Sequence, residues 1–215
     1  MSLPLALLAR QISECTACPL AATRCHAVPG EGPQHASLML IGEAPGARED
    51  AEGRPFVGAS GKLLSQLLLA AGISREETFI TSVLKCHPPA NRDPHTLEIE
   101  ACKPHLTAQI LAVDPLVIVP LGRHALAWLL PDAPPISRCH GIVLHRNGRA
   151  VVPVYHPAAA LYRRQLLPVL QADLAVVAGL LSEQGQGGPS PDASRKTAAL
   201  ASFAATPGSV GGKAE

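Results

Sequence analysis

Net charge, aromatic rings and long apolar runs are all scarce in this sequence. Eighteen Lys and Arg stand against 17 Asp and Glu, for a formal net charge of +1. That balance excludes a globally basic nucleic-acid binder, so any such contact must come from a local patch. Aromatics make up 3% of a chain that is 47% hydrophobic, which leaves an aliphatic core rich in Leu and Ala. No apolar run approaches the roughly 20 residues of a membrane span. The N-terminal MSLPLALLARQ has no basic n-region and no small-residue cleavage site, and is expected to open a helix rather than act as a signal peptide. There is no GK[ST] phosphate loop, no GxGxxG fingerprint and no internal repeat. The expected compartment is the cytoplasm, where unpaired thiols persist.

What is present is organised around residues 38–64, LMLIGEAPGAREDAEGRPFVGASGKLL. Leu38 to Ile41 is a short, wholly apolar run, as expected of a strand buried on both faces. A turn-forming set, Gly42 to Gly46, and a polar loop, Ala47 to Arg54, follow. Ser60 and Gly61 then lead into a helix over 61–71 with the stripe Leu63, Leu64, Leu67, Leu68. Ligands in open α/β sheets bind beyond the carboxyl ends of the strands, where this loop lies.

The remaining pattern alternates strand and helix. Helices are expected at Leu3–Ile12, Thr96–Val113, His124–Leu130 and 157–181, the last broken at Pro168. Further strands are expected at Thr78–Leu84 and Leu116–Leu121, and Asn147-Gly148 joins two hairpin arms, Ile142–His145 and Ala150–Val154. This predicts a parallel sheet between helical layers. Residues 1–182 read as one domain. Residues 183–215, rich in Gly, Ser, Ala, Pro and Gln, read as a disordered tail.

Six cysteines are present. Cys15 and Cys18 form a CxxC pair, while Cys86 follows a strand and Cys102 lies on a helix. Four thiolates suit either tetrahedral zinc or an iron–sulfur cluster, and spacing does not separate the two. A second CxxC, the mark of a zinc ribbon, is missing. Cys25 and Cys139 read as spares. Each strand also ends in polar chemistry: Glu43 after the first, Lys85 to Arg92 after the second, His156 after the last. With Phe56 nearby, that edge suits a small planar substrate.

At this point the chain resembles the iron–sulfur, thermostable uracil-DNA glycosylases of family four. The resemblance rests on Gly42-Glu43-Ala44-Pro45-Gly46, Gly53-Arg54-Pro55-Phe56-Val57-Gly58, Lys85-Cys86-x-Pro88-Pro89-x-Asn91-Arg92, Cys102 and His156-Pro157. It covers about residues 10–180. It implies a three-layer α/β/α fold around a four-stranded parallel sheet, and a [4Fe–4S] cluster on Cys15, Cys18, Cys86 and Cys102. It implies a monomer acting on single- or double-stranded DNA, with the base flipped out of the stack. By position, Glu43 handles the attacking water, Phe56 stacks on the base, and His156 donates to the uracil O2. Gly42, Ala44 and Ser82 complete the substrate site. Ser60, Gly61, Lys85, Arg92, Arg163 and Arg164 become the DNA-backbone contacts, and Leu161 or Tyr162 the wedge that fills the gap left by the base.

One departure stands out. The family usually has Asn at the position of Ser82, whose amide reads the uracil edge, and a hydroxyl does not make that two-point contact. Two further readings follow. One is a glycosylase of altered specificity, for hypoxanthine or xanthine; the other is a DNA-binding protein that keeps the fold and the cluster without the chemistry. A zinc-stabilised hydrolase is the remaining reading, and would be colourless. The basic insert of the branch that binds DNA covalently is missing, so no covalent trapping is expected.

Overall fold

A computed structural model describes residues 4–185. Its centre is a five-stranded sheet in the order β2-β1-β3-β5-β4. The strands are β1 (Leu38–Gly42), β2 (Thr78–Ser82), β3 (Val117–Pro120), β4 (Leu144–Arg146) and β5 (Arg149–Val151). Neighbouring pairs among β2, β1, β3 and β5 run parallel, and β4 is antiparallel to β5. The expected four-stranded parallel sheet is therefore there, with the first arm of the Asn147-Gly148 hairpin added as a fifth, antiparallel edge strand.

Side-chain alternation places the core on both faces. Leu38, Leu40, Ile80, Val117 and Val119 pack under α3 (Ala59–Ala70), α7 (Pro157–Tyr162) and α8 (Leu167–Gly185). Met39, Ile41, Phe79 and Ile118 point the other way, against α4 (Thr96–Val113) and α5 (Arg123–Leu129). The helix α1 (Leu5–Ser13) packs on α4. Met39, Leu40 and Ile41 are completely buried. Each such side chain contributes roughly 1.5–3 kcal/mol, so two largely aliphatic layers hold the sheet with few aromatic rings.

Local readings change in three places. The expected polar loop over 47–54 contains a helix, α2 (Ala47–Glu52), whose charged sequence carries no apolar stripe to announce it. The break in the last helical region falls at Arg163, followed by a 3₁₀ turn at Arg164–Leu166. Pro168 instead sits in the first turn of α8, where its missing N–H is not needed. Helix α8 runs past Ser182 to Gly185, and the rest of the expected tail lies outside the described residues.

By length and composition alone, residues Arg164–Glu183 would also pass for a membrane span, contrary to the sequence reading. Leu170, Leu174 and Val177 are instead buried in the sheet-facing core. A short helix, α6 (Ile136–Cys139), precedes the hairpin.

The parallel register puts the strand ends together. Gly42 stands beside Ser82, Ile41 beside Pro120, and Leu121 bridges to Val154. The loops bearing Glu43, Lys85 to Arg92, and His156 thus leave one edge of the sheet.

Candidate active site and cysteine centre

A cavity of about 350 Å³ opens at that edge, with Glu43, Ala44, Phe56, Ser82, His156 and Tyr162 in its wall. The residues come from the end of β1, the turn before α3, the end of β2 and the two ends of α7.

Phe56 holds a left-handed backbone, φ 52°, at the turn between α2 and α3. Two glycines make room for it. A Cβ on Gly42 would lie 2.8 Å from the ring edge, and one on Gly61 would lie 1.9 Å from the Phe56 carbonyl oxygen. Gly42 is therefore the floor under the ring rather than part of the cavity wall, and Gly61 is a packing requirement of the turn. Ser60 does reach the cavity. It lies in the first turn of α3, where backbone N–H groups have no partner within the helix.

The ring of Phe56 stacks with that of His156, with centroids 5.7 Å apart and planes at 26°. His156 caps α7: its Nδ1 accepts a hydrogen bond from the Ala158 N–H at 3.2 Å. A neutral ring with an accepting Nδ1 carries its proton on Nε2. Burial pushes the His156 pKa down to about 4, with the Glu49 carboxylate opposing. At neutral pH the side chain is therefore an uncharged Nε2–H donor.

Glu43 is half-buried, and loss of hydration raises its pKa. His124 and Arg123 pull it back down, while Asp93 pushes it further up. Glu49 was missed as a site residue. Its carboxylate accepts from the Val57 and Gly58 N–H groups at 3.0 and 2.9 Å, fixing the turn that presents Phe56. The adjacent Asp50 accepts from the Cys25 N–H at 2.9 Å. Glu49-Asp50 belongs to the motif set behind the family resemblance, but the pair lies in a helix too short to show a period and no role was assigned to it.

The basic residues divide. Arg163 and Arg164 are exposed at the end of α7, beside Tyr162, which is 90% exposed on the cavity rim. Leu161 is also exposed there. Arg92 lies on the wall but forms a bidentate pair with Glu98, at 2.9 and 2.5 Å. Lys85 is not a phosphate contact, being only 1% exposed. Its Nζ donates to Thr81 Oγ1 and the Ser82 carbonyl, each at 2.6 Å. Thr81 and Gln109 in turn donate to the Pro29 carbonyl. Burial pushes the Lys85 pKa down to about 7, with Cys102 and Cys86 opposing.

On the far side of Lys85, a void of about 10 Å³ is lined by Cys15, Cys18, Cys86 and Cys102, with Arg24, Lys85 and His105 around them. The four sequence-selected cysteines thus meet, from the α1 loop, the end of β2 and α4. Arg24 donates to Cys86 Sγ at 3.1 Å. Burial raises the Cys102 thiol to about 11. Cys25 is exposed away from this void, and Cys139 Sγ donates to the Pro134 carbonyl on the other side of the sheet.

The pattern of the Uracil DNA glycosylase superfamily matches residues 29–175, the stretch that carries both cavity and sheet. The chain belongs to that superfamily. Within it, the chain is 44% identical over 187 residues to a type-4 uracil-DNA glycosylase of Saccharolobus solfataricus, covering 83% of this chain and 87% of that one. It is 43% identical over 183 residues to the type-4 enzyme of Archaeoglobus fulgidus, covering 81% and 92%. Against the type-4 enzyme of Thermotoga maritima it is 37% identical over 183 residues, covering 83% and 95%.

Proposed function

We propose that this protein is a uracil-DNA glycosylase of base-excision repair, hydrolysing the N-glycosidic bond of a flipped-out uracil to leave an abasic site. The observation that carries the reading is the cavity itself: a carboxylate, a stacking ring and a neutral histidine donor converge where a flipped base would enter. The type-4 names of the relatives support the same substrate.

Bond cleavage leaves a cationic sugar and a uracil anion. Phe56 stacks on the base, which the narrow turn between Gly42 and Gly61 keeps in one orientation. His156 Nε2–H donates to the base oxygen as negative charge develops there. A fixed donor of this kind lowers the barrier without reorganising in the transition state. Glu43 lines the same cavity, where its carboxylate holds the attacking water and offsets sugar charge. Ser60, Arg163 and Arg164 take the phosphates, with Arg92 beside them, and Tyr162 fills the stack.

The donor set, four cysteines around one void, suits the [4Fe–4S] cluster. Four sulfurs converge, with Arg24 and Lys85 beside them to balance thiolate charge. A tetrahedral zinc needs sulfurs about 3.8 Å apart, from Zn–S bonds of about 2.3 Å. An iron–sulfur cluster takes four cysteine thiolates from separate segments just as well, and the type-4 names of the relatives are consistent with it. Cys15, Cys18, Cys86 and Cys102 would hold it, and its contribution is structural, tying the α1 loop to β2 and α4. A DNA substrate and unpaired thiols suit a protein working in the cytoplasm, and a monomer is the form proposed.

A second reading has one observation behind it. Ser82 stands in the cavity wall with a hydroxyl in place of an amide, which suits a base other than uracil, such as hypoxanthine or xanthine. The test is a panel of single- and double-stranded oligonucleotides, each with one uracil, hypoxanthine, xanthine or thymine. Alkali reveals the abasic sites. Uracil release supports the main reading, and purine release alone supports the second. No release from brown, folded protein would contradict both and leave a DNA-binding protein without the chemistry.

A further inference from the structure

Behind Glu43 lies a second set of charged groups that the chemistry above does not use. His124, in the first turn of α5, directs its Nε2 between two carboxylates. Asp93 Oδ1 lies 3.5 Å away and Glu43 Oε2 3.8 Å away. That nitrogen is buried and makes no close hydrogen bond among the described residues, its nearest acceptor being Asp93 Oδ1. Asp93 is held from its other side by Arg123, whose Nη2 donates to Oδ2 at 2.5 Å. The order is therefore Arg123, Asp93, His124, Glu43, with charges alternating in sign when the imidazole is protonated. Three separate segments build it: the end of β1, the loop before α4, and α5. Arg123 already supplies the cation that Asp93 needs, so the cluster is balanced by its own side chains.

We propose that His124 is a positioning residue for Glu43, orienting its carboxylate toward the attacking water and keeping it ionised. This rests on the role given to Glu43 under the proposed activity. A buried unpaired N–H beside a carboxylate is costly unless the two join. A closure of about 1 Å brings Nε2 to hydrogen-bonding distance of Oε2. One carboxylate oxygen is then tied down and the other is left for water. Asp93 works against this, because its negative charge faces the same imidazole and the same Glu43. Arg123 moderates that opposition.

The arrangement makes two opposite predictions. The active form of Glu43 is ionised, so activity falls as pH drops through its pKa. Removing His124 takes away a group that lowers that pKa, and the acid limb of the pH–rate profile moves to higher pH. Neutralising Asp93 removes a group that raises it, and the limb moves to lower pH. A merely structural role for either residue would not move the two limbs apart.

The experiment is single-turnover uracil release from an oligonucleotide, for the full chain, His124→Ala and Asp93→Asn, from about pH 5 to 9. Thermal melts confirm folding. His124→Ala should lose about tenfold in rate near pH 6 and clearly less near pH 8.5, with little change in DNA affinity. Asp93→Asn, at an exposed position, should hold its rate to lower pH than the parent. Limbs that coincide with the parent's, or that move the same way in both variants, would overturn the role of His124 and leave the activity standing. Absence of uracil release from the parent would overturn the activity and this role together.

Discussion

At the scale of single residues, the site depends on charge states set by burial. His156 has its pKa depressed to about 4 against an ordinary value of 6.5. The unfolded chain takes up a proton below about pH 6.5, while the folded chain resists until about pH 4. Stability is thus full above the higher value and is lost as pH falls between them, by roughly 3 kcal/mol at about 1.4 kcal/mol per unit. A His156→Asn variant should lose less melting temperature than the parent between about pH 7 and 4.5. Replacing Ser82 by Asn should raise the preference for uracil over purine lesions in a competition assay. A fall in uracil cleavage would show a pocket shaped for another base.

Glu43 and His156 were legible as polar residues beside Gly or Pro at strand ends, and Phe56 as an aromatic in the Gly- and Pro-bounded turn before α3. Lys85 misled, because its position after a strand looks identical whether the side chain turns out to solvent or inward to Thr81. Glu49, Asp93 and His124 were invisible as site residues. They are single polar residues from separate segments, and only the fold brings them together.

At the scale of elements, the turn from α2 to α3 carries the most constraint. Glu49 ties down its N–H groups, and Gly61 admits the Phe56 carbonyl at a distance no side chain tolerates. Gly61→Ala forces this turn or the start of α3 to move. It should cost about 1–3 kcal/mol in chemical unfolding and depress catalysis as Phe56 shifts. The strands and the hairpin were readable from apolar runs and Asn147-Gly148. The helix α2 was not, because AREDAE has no apolar face. The proposed cluster would tie the loop bearing Cys15 and Cys18 to β2 and α4. Cys86→Ser should therefore remove the broad absorbance near roughly 400 nm together with solubility. Colourless but stable parent protein would instead favour zinc.

At the scale of the whole molecule, the cavity and the cysteine void meet at one strand end. Ser82 faces the cavity, and three residues later Lys85 reaches from the cysteine void back to the Ser82 carbonyl. The alternation of strands and helices predicted a parallel sheet, and the strand ends predicted a shared edge. The order β2-β1-β3-β5-β4 was beyond the sequence pattern, because apolar runs of equal length do not name their neighbours.

The central claim is that this edge cleaves uracil from DNA using His156 as a neutral donor and Glu43 as a carboxylate. It is tested most directly by single-turnover uracil release in the parent, His156→Ala and Glu43→Ala. The account predicts release by the parent and a barrier raised by roughly 2–4 kcal/mol in His156→Ala, with a marked slowing in Glu43→Ala and folding intact. Parent-like rates in both variants would contradict it.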